Sequence, residues 1–181
     1  MLLGSGLYRQ ATLFFMAMLF ISCTSESPTR KVSLSHGMLE MVISESWKLE
    51  TTDSQSRVYT HVSHDDARLH ISSQLEEFGS PMRVVHVKAM IGKELNLEFG
   101  GVRTRVSLGG NAMMDYSREV LVDDAPLHAR EWVLARPVGF SDIARVLISL
   151  QVPPARQSDP SILEMIEILD KQVGDARIPR A

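Results

Sequence analysis

From Val32 onward the apolar residues fall mostly at the two-residue spacing of strands, and two stretches switch to the three-to-four spacing of a helix face. Gly37-Met-Leu-Glu-Met-Val-Ile43 reads as a strand, and Ser44-Glu-Ser46 turns the chain into a second one at Trp47-Lys-Leu-Glu50. Val58, Thr60 and Val62 alternate with Tyr59, His61 and Ser63, while Leu69 and Ile71 alternate with Arg68, His70 and Ser72. A turn centred on Asp65-Asp66 joins these runs into a hairpin. That register puts Val62 opposite Leu69 and Thr60 opposite Ile71 on one side, with His61 opposite His70 on the other.

A helix is predicted from Pro81 to about Phe99, with Val84, Val87, Met90, Ile91, Leu95 and Phe99 on one face and Gly100-Gly101 past its end. A second hairpin runs from Ala112 to Val122, reverses at Asp123-Asp124-Ala125-Pro126 and returns from Leu127 to Arg136. With Val122 opposite Leu127, Glu119 meets Arg130 and Arg118 meets Glu131, two opposite-charge cross-strand pairs. Ile143 to Val152 is the longest apolar strand candidate and is expected at the centre of the sheet, closed by Pro153-Pro154. The last helix has Ser158-Asp159-Pro160 as cap and first-turn proline. Ile162, Leu163, Ile166, Leu169 and Val173 line one face, and Gly174 ends it. Strands followed by a helix, more strands and a closing helix predict an α+β fold.

The first thirty residues follow a different pattern. A short segment bearing Arg9 precedes the apolar run Ala11 to Ile21, which stops at Ser22-Cys23. Positive start, apolar middle and small residue at the end make a signal peptide over 1–22. The run is about half the ~20 apolar residues that a spanning helix needs. Leu19-Phe20-Ile21-Ser22-Cys23 resembles the bacterial lipobox, with signal cleavage between Ser22 and Cys23 and lipidation of the Cys23 thiol, although Phe20 is bulkier than the residue usual there. Two acyl chains give a stable anchor where one gives only marginal binding. The polar Thr24-Ser-Glu-Ser-Pro-Thr29 then reads as part of a flexible tether, placed at 23–31, before a single domain over 32–181. By analogy with enteric lipoproteins, Thr24 in place of Asp after the cysteine favours the outer membrane, facing the periplasm.

Composition narrows the functional classes. The 181 residues include 44% hydrophobic and 23% charged side chains, which excludes a disordered chain, and a net charge of −3 lacks the basic excess of a nucleic-acid binder. Cys23 is the sole cysteine, so no internal disulfide can form. The segment Gly37-Met-Leu-Glu-Met-Val-Ile-Ser-Glu-Ser-Trp47 and the helix opening Ser158-Asp-Pro-Ser-Ile162 resemble the PsbP-like superfamily, with Ser44 or Glu45 where that family usually has a proline. The resemblance spans about Ser35 to Pro179 and implies an antiparallel sheet with helices packed on both faces. The superfamily includes envelope lipoproteins, photosystem accessory proteins, nuclear-import factors and chaperones of secreted effectors, so the fold by itself names no reaction.

His61, His64 and His70, with Asp65 and Asp66, are the only metal-ligand material, and ordinary surface histidines around an Asp-Asp turn are the stronger reading. No resident metal or cofactor is expected. Ser141-Asp142 within Gly139 to Ile143 lacks the second glycine of a nucleophile elbow. Gly100-Gly101 and Gly109-Gly110 read as turns, not a phosphate-binding loop, and Met38, Met41, Met113 and Met114 as core filling. The leading expectation is therefore a non-enzymatic, membrane-anchored envelope lipoprotein acting as a protein-interaction module, its partner undetermined. Two rivals have distinct structural requirements: a carrier of an apolar ligand or transmembrane segment needs a wide apolar groove between a helix and the sheet, and an enzyme needs His61, His70 and a carboxylate converging in a pocket.

Overall fold

The computed structural model of the protein describes residues 28–34 and 38–179. Two short strands, β1 (Thr29–Ser33) and β2 (Glu40–Ser44), pair as an antiparallel ribbon. Strands β3 (Trp47–Thr52), β4 (Ser56–His61) and β5 (His64–Glu77) precede helix α1 (Val84–Phe99). Four more follow: β6 (Arg103–Val106), β7 (Ala112–Val122), β8 (Ala125–Val138) and β9 (Asp142–Val152). A 3-10 turn at Pro154–Arg156 leads into helix α2 (Pro160–Asp175). The seven strands β3 to β9 form one antiparallel sheet in the order β3-β4-β5-β9-β8-β7-β6. The apolar strand β9 is central, as its composition predicts.

Alternation along the strands divides the core between the two faces. Ala112, Met114 and Tyr116 of β7, with Val133 and Ala135 of β8, pack under Val87, Ile91 and Leu95 of α1. Their neighbours Met113, Trp132 and Leu134 point the opposite way, towards Ile162, Met165, Leu169 and Val173 of α2 and the apolar side of the ribbon. The architecture is thus an α+β sandwich with one helix on each face. On α2 the buried stripe includes Met165, while Leu163 is exposed, and the helix runs one residue past Gly174. Strand β1 begins inside the stretch read as tether, because Val32 and Leu34 have core to fill.

Both hairpin registers differ from those the sequence predicts. In the first, the turn is Val62-Ser63, Leu69 faces Tyr59, and His61 faces His64 across a bulge. Tyr59 is 4% exposed and Val62 62% exposed. Burying a phenol ring removes more apolar surface from water than burying valines, so the aromatic residue determines which face turns inward. In the second, Val122 pairs with Ala125, Glu119 with His128 and Arg118 with Ala129, two residues away from the expected register. Asp123 and Asp124 have φ of 52° and 64°, both left-handed. Asp tolerates that region, and a two-residue turn of this kind matches strand twist better than the four-residue loop. The Arg118–Glu131 ion pair survives diagonally, with two contacts of 3.0 Å.

The loop before β7 is clamped to the end of α2. The Gly109 N–H donates to the Gly174 carbonyl at 3.2 Å, and the buried Asn111 amide donates to the Ala176 carbonyl at 2.8 Å. A methyl group on Gly109 would lie 1.9 Å from the Ala176 oxygen, whereas one on Gly174 meets nothing within 4 Å. Gly109→Ala is therefore expected to cost about 2 kcal/mol through forced displacement of the loop. Gly174→Ala is expected to be neutral or to stabilise by up to ~1 kcal/mol. Urea unfolding of the two variants checks the contrast.

Candidate functional site

Helix α1 lies over β6, β7 and β8 and reaches Ile143 and Leu147 of β9, and among the described residues its core on that face takes in nothing from β5 or β4. The uncovered part of the sheet forms a cleft of 490 Å³. One wall is α1 at Leu95, the opposite wall is the β3–β4 turn at Asp53 to Ser56, and Tyr116, Val133, Leu147, His70 and Ser72 form the floor. The turn is rigid for a local reason. Asp53 accepts the Gln55 and Ser56 N–H groups at 2.7 Å each and the Ser56 hydroxyl at 2.6 Å. These bonds, the Ser56 hydroxyl first, hold its carboxyl below the usual value. Arg145 closes one end and ties sheet to helix, 3.3 Å from Glu76 and 3.4 Å from Glu94.

A buried polar network continues the floor towards β8. Glu131 is 1% exposed and takes both Arg118 contacts, and the Ser149 hydroxyl lies 3.4 Å from it. The Gln151 amide donates to Ser149 at 3.4 Å. Burial, then the hydrogen bond to Glu131, pushes the Tyr116 phenol well above its ordinary value, so it stays protonated. Tyr116 stacks on Phe99 at 4.8 Å and Arg118 sits 5.0 Å from the Phe99 ring, which fixes the α1 end of the network. The cleft thus presents hydrogen-bonding groups on a held frame.

The candidate residues from the sequence are scattered. His61 stacks on His64 at 5.2 Å and meets the Trp47 edge at 5.0 Å. Burial, then the neighbouring His64, lowers the His61 pKa. An Arg156 guanidinium N–H lies 3.1 Å from His64 Nδ1, and Arg156 also bonds Asp66. His70 instead faces Val58 and belongs to the cleft, so the predicted His61–His70 pairing does not form. Among the described residues no three His, Cys, Asp or Glu side chains group as a metal site. Ser141 contacts Asp142 at 3.5 Å, in the turn between β8 and β9. Met41 and Met113 are buried in the core beside α2, against which Met38 also packs, and Met114 is buried under α1, as core filling requires. Ser22 and Cys23 lie outside the described residues. No helix among the described residues is long and apolar enough to cross a membrane.

No protein-family model matches the sequence, and no curated protein is similar to it. Solved structures are similar in fold. A Bacteroides thetaiotaomicron protein superposes over 83% of this chain with a TM-score of 0.54 and 8% identity, and the match covers 48% of that protein. The chain therefore spans about half the length of that protein. LpqN of Mycobacterium tuberculosis, described as involved in cell envelope biogenesis, matches with a TM-score of 0.51 and 13% identity, over 86% of this chain and 94% of its own. The PsbP protein (CyanoP) of Synechocystis sp. PCC 6803 matches with a TM-score of 0.48 and 14% identity, over 89% of this chain and 99% of its own. The likeness is one of fold: the α+β sandwich implied by the sequence resemblance is the architecture found.

Proposed function

We propose that the protein is a non-enzymatic envelope lipoprotein, held in the outer membrane through acylated Cys23, that binds a protein partner through the cleft beside α1. One observation carries the binding reading: a stretch of sheet left open by its helix, faced with Ser72, His70 and Gln74 and framed by the Asp53 turn and Arg145. Such a surface offers donors and acceptors to a polar segment of another chain. The non-enzymatic reading is preferred because the pairing expected of an enzyme is not made: His70 lies in the cleft, whereas His61 sits against Trp47 and His64 outside it. The apolar-carrier alternative needs a wide apolar groove between a helix and the sheet; under α1 the side chains of Val87, Ile91 and Leu95 fill that space, and the groove that stays open lies between α2 and the β1–β2 ribbon. LpqN is a precedent for this fold in envelope biogenesis. The net charge of −3 speaks against nucleic acid.

The test is site-specific photo-crosslinking in intact cells. A benzophenone side chain at Ser72 is expected to form a discrete protein adduct, whereas the same group at the exposed Glu164 of α2 is not. Adduct patterns identical at the two positions in the folded protein would refute the assignment of the cleft.

A further inference from the structure

A second groove, of 690 Å³, runs between the β1–β2 ribbon and α2, on the opposite face from the cleft. Val42 and Ile168 line it, and each leaves 47% of its surface exposed. Around them stand three cations, Lys31, Lys171 and Arg177, and two acids, Glu40 and Asp175, a balance of +1 in a chain whose net charge is −3. Lys31 is engaged by Glu40 at 3.3 Å. Lys171 and Arg177 have no ion-pair partner among the described residues.

Chain length says what this groove meets. Thr29 lines it and Cys23 stands six residues earlier. Six residues, even fully extended, reach no more than about 20 Å. With a glyceride on Cys23 at the membrane interface, the ribbon end of the domain is held within about 20 Å of the headgroups. Exposed apolar side chains beside free cations are the combination suited to that zone, where methylenes and phosphates meet.

We infer that this groove is the face the domain turns to its own bilayer, and that it takes an anionic phospholipid. The lipid phosphate lies between Lys171 and Arg177, and its upper acyl methylenes rest on Val42 and Ile168. The inference rests on lipidation of Cys23. It also orients the molecule: the cleft, on the other face of the sheet, points away from the membrane.

The mature lipoprotein carrying Val42→Cys has one free thiol, because Cys23 is acylated, and that thiol takes an environment-sensitive fluorophore. Reconstituted in nanodiscs, the dye is expected to shift to the blue when phosphatidylglycerol replaces part of the phosphatidylcholine. A dye at Leu97→Cys, on α1, is expected not to respond. Adding Lys171→Glu and Arg177→Glu should abolish the shift while the protein still co-elutes with the discs; Lys171→Gln alone should reduce it should the double variant misfold. Co-elution with no lipid-dependent shift at residue 42 overturns the groove as a lipid site. Elution apart from the discs overturns the anchor and, with it, the inference.

Discussion

Replacing Asp115 with Asn is expected to destabilise the protein by about 3 kcal/mol, at the lower end of what breaking a buried ion pair costs. Asp115 is fully buried at the β7–β8 pairing and faces three arginines. Arg103 contacts it at 2.8 and 2.5 Å, Arg105 stands 3.7 Å away, and Arg130 pairs with the same carboxylate. The arginines differ in their escape routes. Arg103 has 65% of its side chain exposed and can rehydrate. Arg105 retains Asp170, at 2.8 Å, when Asp115 loses its charge. Arg130, with 15% exposed and stacked 5.7 Å from Trp132, cannot leave, so its uncompensated charge sets the cost. Asp170 is also anchored to the fold: burial raises its pKa, but the Trp132 indole N–H at 2.9 Å and Arg105 outweigh burial and hold the carboxyl below its ordinary value. Denaturant unfolding measures the loss. The double variant Asp115→Leu, Arg130→Met should recover most of it, because an apolar replacement removes both desolvation penalties.

How legible this was in the sequence depended on the length scale of the signal. Helices α1 and α2 and the central strand β9 were readable because each carries ten or more residues of a single period. Registers were not, because alternation says which residues share a face without saying which face is buried. Tyr59 against Val58 and Val62 was a contest of ring against methyl groups, and the turn geometry at Asp123-Asp124 outranked the charge pairing that favoured a register two residues away. The cleft was harder still. Its residues come from β5, β7, β8, β9, α1 and the β3–β4 turn, and serines, glutamines and a histidine on strands read as ordinary solvent positions. Asp115 did leave a trace: a carboxylate inside Ala112-Met-Met-Asp-Tyr116 breaks an otherwise apolar run. A charge in such a run must find a partner when buried.

Replacing Cys23 with Ala is expected to abolish membrane attachment of the mature protein. Each buried acyl methylene contributes roughly 0.8 kcal/mol, so two chains of ordinary length supply well over 10 kcal/mol. Lys171 and Arg177 near an anionic surface supply about 1 kcal/mol each, enough to orient an anchored domain and too little to retain a free one. The variant should lose palmitate labelling and accumulate either as an uncleaved precursor held by residues 1–22 or as a soluble species cut elsewhere. Retention of fully processed protein in the membrane fraction would mean that another element binds it.

Mass spectrometry of the native N-terminus tests the anchored-module reading most directly, since both the orientation of the cleft and the role of the groove depend on it. The predicted result is a mature chain whose first residue is Cys23 carrying a diacylglyceryl group, followed by unmodified Thr24-Ser-Glu-Ser. An unmodified peptide running through Ser22-Cys23-Thr24 in the mature protein would contradict it.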